Sequence, residues 1–387
     1  MDWTTKRVAH VTAVDSSFIY VLYNQLKELR KQGLEITCIA TLELPENREL
    51  LNKIGVRFIE VPIQRKLTPL SDLVSVYRLY KVFQREKFDI IHTQLPKATL
   101  LGAIAGRLSK TPVVNTARPL FRELQPGLRK SLLVWIERIA HYFTDRVMVE
   151  NPFDYQNYFD LGITAKEKLS VQGHGIDLTR FDPGKVRTAD VEKLRAEFKI
   201  PKSAKVIGIV ARYVYEKGFS ELFTAFKELY QKYPDLYLVA KVFVFPGERG
   251  TVPEDLPARM GIADRVVFIK DRRDMEIVYA LFDIFALPTQ RDSFPRSLIE
   301  AAAMALPIVA SDIQGCQVVV ENEKSGLLVP LKDAKALANA LERLLENPGF
   351  AKGLGANAHK FALENLDEQK ICQRILDCYQ TLLQKKK

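Results

Sequence analysis

The sequence holds few cysteines and no arrangement of them that carries chemistry: Cys38, Cys316, Cys372 and Cys378 form no C-x-x-C pair and no metal-ligand spacing. That argues against a dithiol redox motif or a zinc ribbon and suits free thiols in a reducing compartment, so a cytoplasmic location is expected. Long apolar runs are missing too. The opening MDWTTKRVAHVTAV passes from charged residues straight into a short strand-like segment, with neither the apolar core of a signal peptide nor a membrane span, and no crossing of a bilayer is expected. There is no tandem repeat of short period and no low-complexity tract beyond the terminal KKK, which sets aside solenoids and disordered tails. A D-x-D pair and any His/Cys/Asp cluster at ligand spacing are also lacking, so no bound metal is expected. His10, His92 and His174 lie in or beside strands or glycine turns, where structural roles are the expectation. With no helix-turn-helix, zinc finger or aromatic RNA platform, nucleic acid is not an expected partner.

What is present is enough apolar material, 47% of 387 residues, to bury cores for two domains of ordinary size. Lys plus Arg total 57 against 47 Asp plus Glu, a formal charge of +10, which favours anionic partners such as nucleotides, nucleic acid or acidic lipid headgroups without choosing among them. Basic residues interleave with aromatics in KLTPLSDLVSVYRLYKVFQREKF (66–88) and LRKSLLVWIERIAHYF (128–143). The second segment has Leu132, Trp135, Ile136, Ile139 and Phe143 at helical spacing. A core-facing stripe with a solvated basic side is the plainer reading, and a membrane-surface helix the alternative.

Short β-branched runs alternate with amphipathic segments: RVAHVT, a helix near 17–32, ITCIA, VRFIEV, DIIHT, PVVNT and RVMVE, each followed by helical pattern. The alternation predicts a parallel sheet with helices on both faces. After the charged, strand-poor stretch RFDPGKVRTADVEKLRAEFKIPKS (180–203) the rhythm restarts with KVIGIV, LYLVAK, RVVFIK, DIFALP and PIVAS. The expected organisation is therefore α/β, with a doubly wound domain over 1–180, a linker over 181–203 and a second doubly wound domain over 204–365. The C-terminal segment 366–387 is helical by period and is expected to pack back on the first domain. Ligands of such sheets sit beyond the carboxyl ends of the strands, so two facing domains would enclose a cleft lined by strand-to-helix loops.

Chemistry-bearing residues fall in those loops. After DIFALP comes a loop holding Thr289 to Phe294, and Pro295 is suited to the first helical position because its missing N–H would be orphaned there. The helix mouth offers free amides and a positive dipole end to a phosphate. Asp292 falls at that mouth and Glu300 more than a turn inside, separated by roughly 12 Å of helix. That is too far for a retaining-glycosidase carboxylate pair at roughly 5 Å but fits two ends of one extended ligand. A capping Asp292 with a solvated Glu300 is the bland alternative. After KVIGIV, the segment ARYVYEKGFSEL places Arg212 and Lys217 in one loop, with Gly218 allowing close backbone approach. Two cations at a strand end can hold a diphosphate and stabilise it as a leaving group.

These pieces in order resemble the retaining family 4 glycosyltransferases of GT-B architecture. Their donor-domain pattern is R, four residues, K-G; then an acid followed by G-F-P; a second Glu eight positions on; and a late G-L-L-V-P. Here the matches are Arg212 to Lys217-Gly218, RDSFPRSLIEAAAMALPIVASDIQGC and SGLLVP. The first half resembles the bacterial capsular and exopolysaccharide branch in HVTAVDSSF, IIHTQLPKATLLGAIAGRL, PVVNTARPLFRE, VENPFDYQNYFDLGI and GHGIDLTRFDP.

The resemblance implies GT-B, two Rossmann-like domains facing across a cleft, and a sugar transfer from a nucleoside diphosphate, UDP first, to a lipid-linked or saccharide acceptor. It implies no cofactor beyond this nucleotide-sugar co-substrate. Arg212 and Lys217 would grip the diphosphate, Glu300 the ribose and Asp292 the sugar hydroxyls. Ser293, Phe294 and Pro295 would approach phosphate and sugar, and the loop around Ile269 to Asp271, with Lys270, would receive the base. Ser16 and Ser17 would face the cleft, or cap a helix. The family's N-T-V-H-G is Asn115-Thr116-Ala117-Arg118-Pro119 here, the first acid is Asp292 in place of Glu, and Ser293 replaces Gly. Arg118 thus stands where a His is expected near the sugar C6; its planar fork suggests a uronic acid donor, with an acceptor phosphate or solvent as the alternative partner. The rival reading is a donor-binding protein with weak catalysis or a regulatory role. Peripheral contact with an anionic membrane surface is a further expectation from the basic aromatic helices.

Overall fold

The structure, a computed structural model, describes residues 3–64, 68–118, 127–245 and 248–384. The chain divides into two compact units: Met1–Gly175 with Glu368–Lys387, and Ile176–Asp367. In the first, strands β1 (Arg7–Val14), β2 (Glu35–Thr41), β3 (Arg57–Glu60), β4 (Ile90–Gln94), β5 (Val113–Ala117), β6 (Arg146–Val149) and β7 (Leu169–Val171) form one sheet of order β3-β2-β1-β4-β5-β6-β7. Every pairing in it is parallel. The strands read as near-continuous apolar runs because both faces are covered. Val8, Ile36, Cys38 and Ile90 pack with Leu26 and Leu29 on one face, while Ala9, Val11, Ile39 and Ile91 pack with Leu79, Phe83 and Leu101 on the other.

The second unit repeats the plan with β8 (Lys205–Arg212), β9 (Leu236–Phe243), β10 (Val266–Ile269), β11 (Ile284–Leu287), β12 (Ile308–Ser311) and β13 (Leu327–Val329) in the order β10-β9-β8-β11-β12-β13. All are parallel.

Three expectations need correcting. The stretch 181–203 is no free linker: it belongs to the second unit, carries the helix Thr188–Glu197, and buries Leu194 in that unit's core. The helix near 17–32 is two helices, Ser16–Tyr20 and Tyr23–Lys31, because Val21 and Leu22 both donate to the Ser17 carbonyl and the ladder slips there. The helix Leu128–Tyr142 turns the unexpected side inward: Val134, Glu137, Ala140 and His141 are buried, whereas Leu132 and Trp135 are 54% and 58% exposed.

Hydrogen bonds explain that last reversal. The Tyr158 hydroxyl donates to Glu137 at 3.2 Å, and His141 meets Asn115 at 2.8 Å. Burial pushes the Glu137 carboxyl up to about 7 and the His141 imidazole down to about 3. A carboxyl raised in the fold is stabilising while protonated, and that contribution is lost as pH climbs from its ordinary value through about 7. Glu137→Gln cannot ionise. It is expected to match the wild type near pH 5 and to exceed it by on the order of 2–3 kcal/mol near pH 8.5, read as the gap between thermal midpoints. A gap that does not widen with pH contradicts this.

The C-terminal helix Glu368–Gln384 lies in the first unit and buries Ile371, Ile375, Leu376 and Tyr379 there. Tyr379 bonds the His92 ring at 2.6 Å, and the other His92 nitrogen meets Thr116 at 2.7 Å. The ring of His10, the register partner of His92, lies 4.9 Å from it. Burial lowers both imidazoles, His10 to about 3, so both are neutral core groups joining the C-terminal helix to the sheet centre.

Candidate functional site

In the second unit, strand order reverses between β8 and β11, the kind of switch point where ligands of open parallel sheets bind. Arg212 ends β8 there. A 3-10 turn, Tyr215–Lys217, leads through Gly218 into the helix Phe219–Lys232. Gly218 holds φ at 76°, and a Cβ on it would lie 2.0 Å from the Pro288 carbonyl oxygen at the end of β11. Only glycine lets the two loops close together.

The result is one polar cluster. Lys217 Nζ donates to Asp292 Oδ2 at 2.7 Å and to the Arg291 carbonyl at 3.2 Å. Arg212 donates to Glu216 and to Glu248. Arg291 reaches the Glu216 carboxylate at 3.6 Å, and the Glu216 carbonyl accepts the Gln290 amide at 2.8 Å. Three cations, Arg212, Lys217 and Arg291, are thus balanced by three carboxylates, Glu216, Glu248 and Asp292. Lys217 is nearly buried, whereas the Arg212 side chain is 40% exposed. A second glycine fixes the floor: a Cβ on Gly315 would lie 2.1 Å from the Asp292 carbonyl oxygen. An incoming diphosphate competes with carboxylates already in place for these cations. That competition requires charge-assisted bonds at least as good as those displaced.

Pro295 is not the first helical residue. It is the N-cap of Arg296–Ala303, with ψ at 113°, and its carbonyl accepts the amides of Leu298 and Ile299. Phe294 before it is buried in the unit's core, and Ser293 sits half-buried between Phe294 and Asp292. Asp292 therefore does not cap the helix; its carboxylate accepts from Lys217.

Glu300 does not face water either. It is buried, accepts the Tyr279 hydroxyl at 2.8 Å, and meets Arg296 at 3.3 Å. Burial raises its carboxyl above the ordinary value, with Arg296 and Tyr279 opposing. Ile269 is buried at the end of β10, and the Lys270 side chain pairs with Glu254 at 2.8 Å. The Lys270 carbonyl is held by the buried Lys241, whose ammonium also lies 4.2 Å from the Phe243 ring centroid. Desolvation lowers that ammonium's pKa, with Asp271 opposing.

The remaining candidates lie in the first unit. Arg118 follows β5, and its Nε donates to Glu150 at 2.6 Å and its Nη1 to Gln94 at 2.8 Å. The fork is thus engaged by two neighbours at the carboxyl ends of β4 and β6. Ser16 and Ser17 open the helix Ser16–Tyr20, whose N-cap is Asp15, so neither serine is the cap. Ser16 donates to Glu43 at 3.3 Å, and Asp15 accepts from the Leu44 amide and Asn47 at 3.1 Å each.

Sequence reasoning overlooked Glu216, Glu248 and Arg291, which complete the charge cluster, and Tyr279 and Lys241, which hold Glu300 and the β10 loop. Arg291 had a signal, lying beside Asp292 in a strand-to-helix loop. Tyr279 and Lys241 had none, since each reads as part of an apolar run.

Residues 190–361 match Glycosyl transferases group 1, and residues 20–180 match Glycosyltransferase Family 4. The chain is 26% identical over 385 residues to the Staphylococcus aureus capsular polysaccharide biosynthesis glycosyltransferase CapM, covering 98% of each. It is 27% identical over 351 residues to the Escherichia coli UDP-Gal:alpha-D-GlcNAc-diphosphoundecaprenol alpha-1,3-galactosyltransferase, covering 88% of each. Its fold is similar to that of Anabaena Alr3699/HepE, solved with UDP and glucose, at a TM-score of 0.81 and 21% identity over 96% of this chain and 98% of that one. Two Rossmann-like units of this kind define the GT-B glycosyltransferase fold. The chain belongs to the family 4 glycosyltransferases, in the branch of capsular and exopolysaccharide enzymes.

Proposed function

We propose that the protein moves a sugar from a UDP-sugar to a hydroxyl of a lipid-linked saccharide, with retention at the anomeric carbon and without a bound metal. The observation that carries this is the Lys217–Asp292 pair and Arg212 gathered at the β8/β11 switch point. Arg212 and Lys217 hold the donor diphosphate, Asp292 reaches the sugar hydroxyls, and Ser293 and Phe294 contribute backbone amides. Glu300 takes the ribose hydroxyls, and the Ile269–Lys270 loop takes the base.

In the transfer, the bond from the anomeric carbon to the phosphate oxygen breaks and a bond to the acceptor oxygen forms on the same face. The acceptor proton passes to the departing phosphate. The cations stabilise the charge that develops on that phosphate, so no separate enzymic base is needed. Relatives whose names state a lipid-linked acceptor or a capsular role support the acceptor class.

Arg118 is better read as a positioning residue for Glu150 and Gln94 than as a uronate reader, given its two internal bonds. A neutral hexose donor is therefore favoured. A glucuronate donor that turns over faster than its glucose counterpart contradicts this.

Contact with an anionic membrane surface is part of the proposal. The helices Pro69–Glu86 and Leu128–Tyr142 both pack on Pro96–Ser109, and they expose Leu70, Leu73, Tyr77, Leu132 and Trp135 among Arg78, Lys81, Arg129 and Lys130. Apolar and aromatic groups ringed by cations suit an acidic headgroup layer.

A thermal-shift panel of nucleotide sugars tests the donor class, since a ligand of the folded state raises the midpoint by mass action. UDP-sugars should raise it and other nucleoside diphosphate sugars less. Glu300→Gln is expected to raise the donor KM by roughly tenfold or more, the loss of a hydrogen bond to a charged group. An unchanged KM removes Glu300 from the donor site.

A further inference from the structure

At the amino ends of β5 and β6 in the first unit lies a cavity of about 700 Å³ that the transfer reaction does not use. Arg118 and Glu150 stand at the opposite, carboxyl ends of the same strands. The cavity is lined by Arg107, Lys110, Arg146 and Lys168 against one acid, Asp145. Asp145 is committed elsewhere: its Oδ2 accepts the Val113 amide at 2.8 Å. Lys168 donates to the Thr144 carbonyl at 2.8 Å and Arg146 to the Asp145 carbonyl at 3.3 Å, so neutral backbone oxygens position two of the cationic heads. Among the described residues no carboxylate pairs with Arg107, Arg146 or Lys168. This contrasts with the donor cluster, where each cation has its acid.

The other wall is apolar, formed by Phe143 and Leu382. Two exposed apolar side chains are chain neighbours of lining residues. Tyr142 sets its ring edge to face against Phe143 at 5.1 Å, and Leu108 follows Arg107 at the end of the helix Pro96–Ser109. A soluble phosphate would use the cations and leave these groups in water. A glycerophospholipid uses both.

We propose that this cavity binds the phosphate headgroup of an anionic phospholipid, with Arg107, Arg146 and Lys168 on the phosphate and Phe143, Leu382, Leu108 and Tyr142 against the glycerol and upper acyl carbons. The volume suits a headgroup of this size. The membrane contact proposed above supplies the lipid, but the site's chemistry stands apart from sugar transfer. It gives the enzyme a lipid-selective anchor remote from the chemistry.

The test is co-sedimentation with phosphatidylcholine vesicles, with and without 30% phosphatidylglycerol, alongside thermal shift with glycerol 1-phosphate. Arg107→Gln/Lys168→Gln is compared with Lys227→Gln/Lys352→Gln, which removes two exposed charges of the second unit. The pocket pair should weaken binding to phosphatidylglycerol vesicles roughly tenfold or more and the control pair far less, with turnover of a soluble acceptor unchanged. Equal losses from both pairs, with wild-type vesicle binding intact, overturn the pocket while leaving the membrane contact standing. Wild-type protein that ignores the vesicles yet is stabilised by glycerol 1-phosphate overturns the lipid assignment. Should the double variant fail to fold, Arg107→Gln alone, at an exposed position, carries the same comparison.

Discussion

Lys217→Ala should lower turnover by about 10²–10³-fold, the scale on which loss of one preorganised stabilising group acts. The Lys217 head is nearly buried, bonded to Asp292 and the Arg291 carbonyl, so its position is set before any donor arrives. Its removal has two consequences. The departing phosphate loses a cation, and Asp292 loses its charge partner in a partly buried site. Asp292→Asn removes only the second interaction, so it should cost less in turnover. Because the two side chains act as a unit, the double variant should be less impaired than the product of the single effects. Steady-state rates for the four proteins, each with its thermal midpoint, check this. A Lys217→Ala enzyme within a few-fold of wild type means the diphosphate is held elsewhere.

Gly218→Ala is expected to destabilise the second unit by about 3–4 kcal/mol. A side chain at φ 76° incurs the left-handed strain, roughly 1–2 kcal/mol. The added methyl must also push aside the Pro288 carbonyl, 2.0 Å away, a backbone atom at the end of β11 that has little room to yield. Overpacking of this kind typically costs about 1–3 kcal/mol. The same displacement separates the Arg212–Lys217 loop from the Thr289–Phe294 loop, so donor affinity should fall with stability. Denaturant unfolding gives the first quantity and UDP titration the second. A variant as stable as wild type contradicts the close approach described.

The alternation of strands was legible because both sheets are covered on both faces, which leaves β8 and β11 as nearly continuous apolar runs that pattern alone marks. The residue types at the switch point were legible too. Their partners were not: Lys217 and Asp292 are 75 residues apart, and nothing local in either segment states that they meet. The inward side of Leu128–Tyr142 was misread for a physical reason. Apolar periodicity assigns Leu132 and Trp135 to the core, but Glu137 and His141 go inward because Tyr158 and Asn115, from distant segments, satisfy them. The helix Thr188–Glu197 escaped notice because Leu194 is its sole buried residue, too little apolar pattern to stand out within a charged stretch.

The central claim is that Arg212 and Lys217 hold the donor's diphosphate. Calorimetric titration of UDP into the wild type, Arg212→Met and Lys217→Met measures it directly. The expected result is binding to the wild type and an affinity lower by roughly tenfold to a hundredfold in each variant, as for loss of a charge-assisted bond. Equal affinity in all three proteins would contradict it.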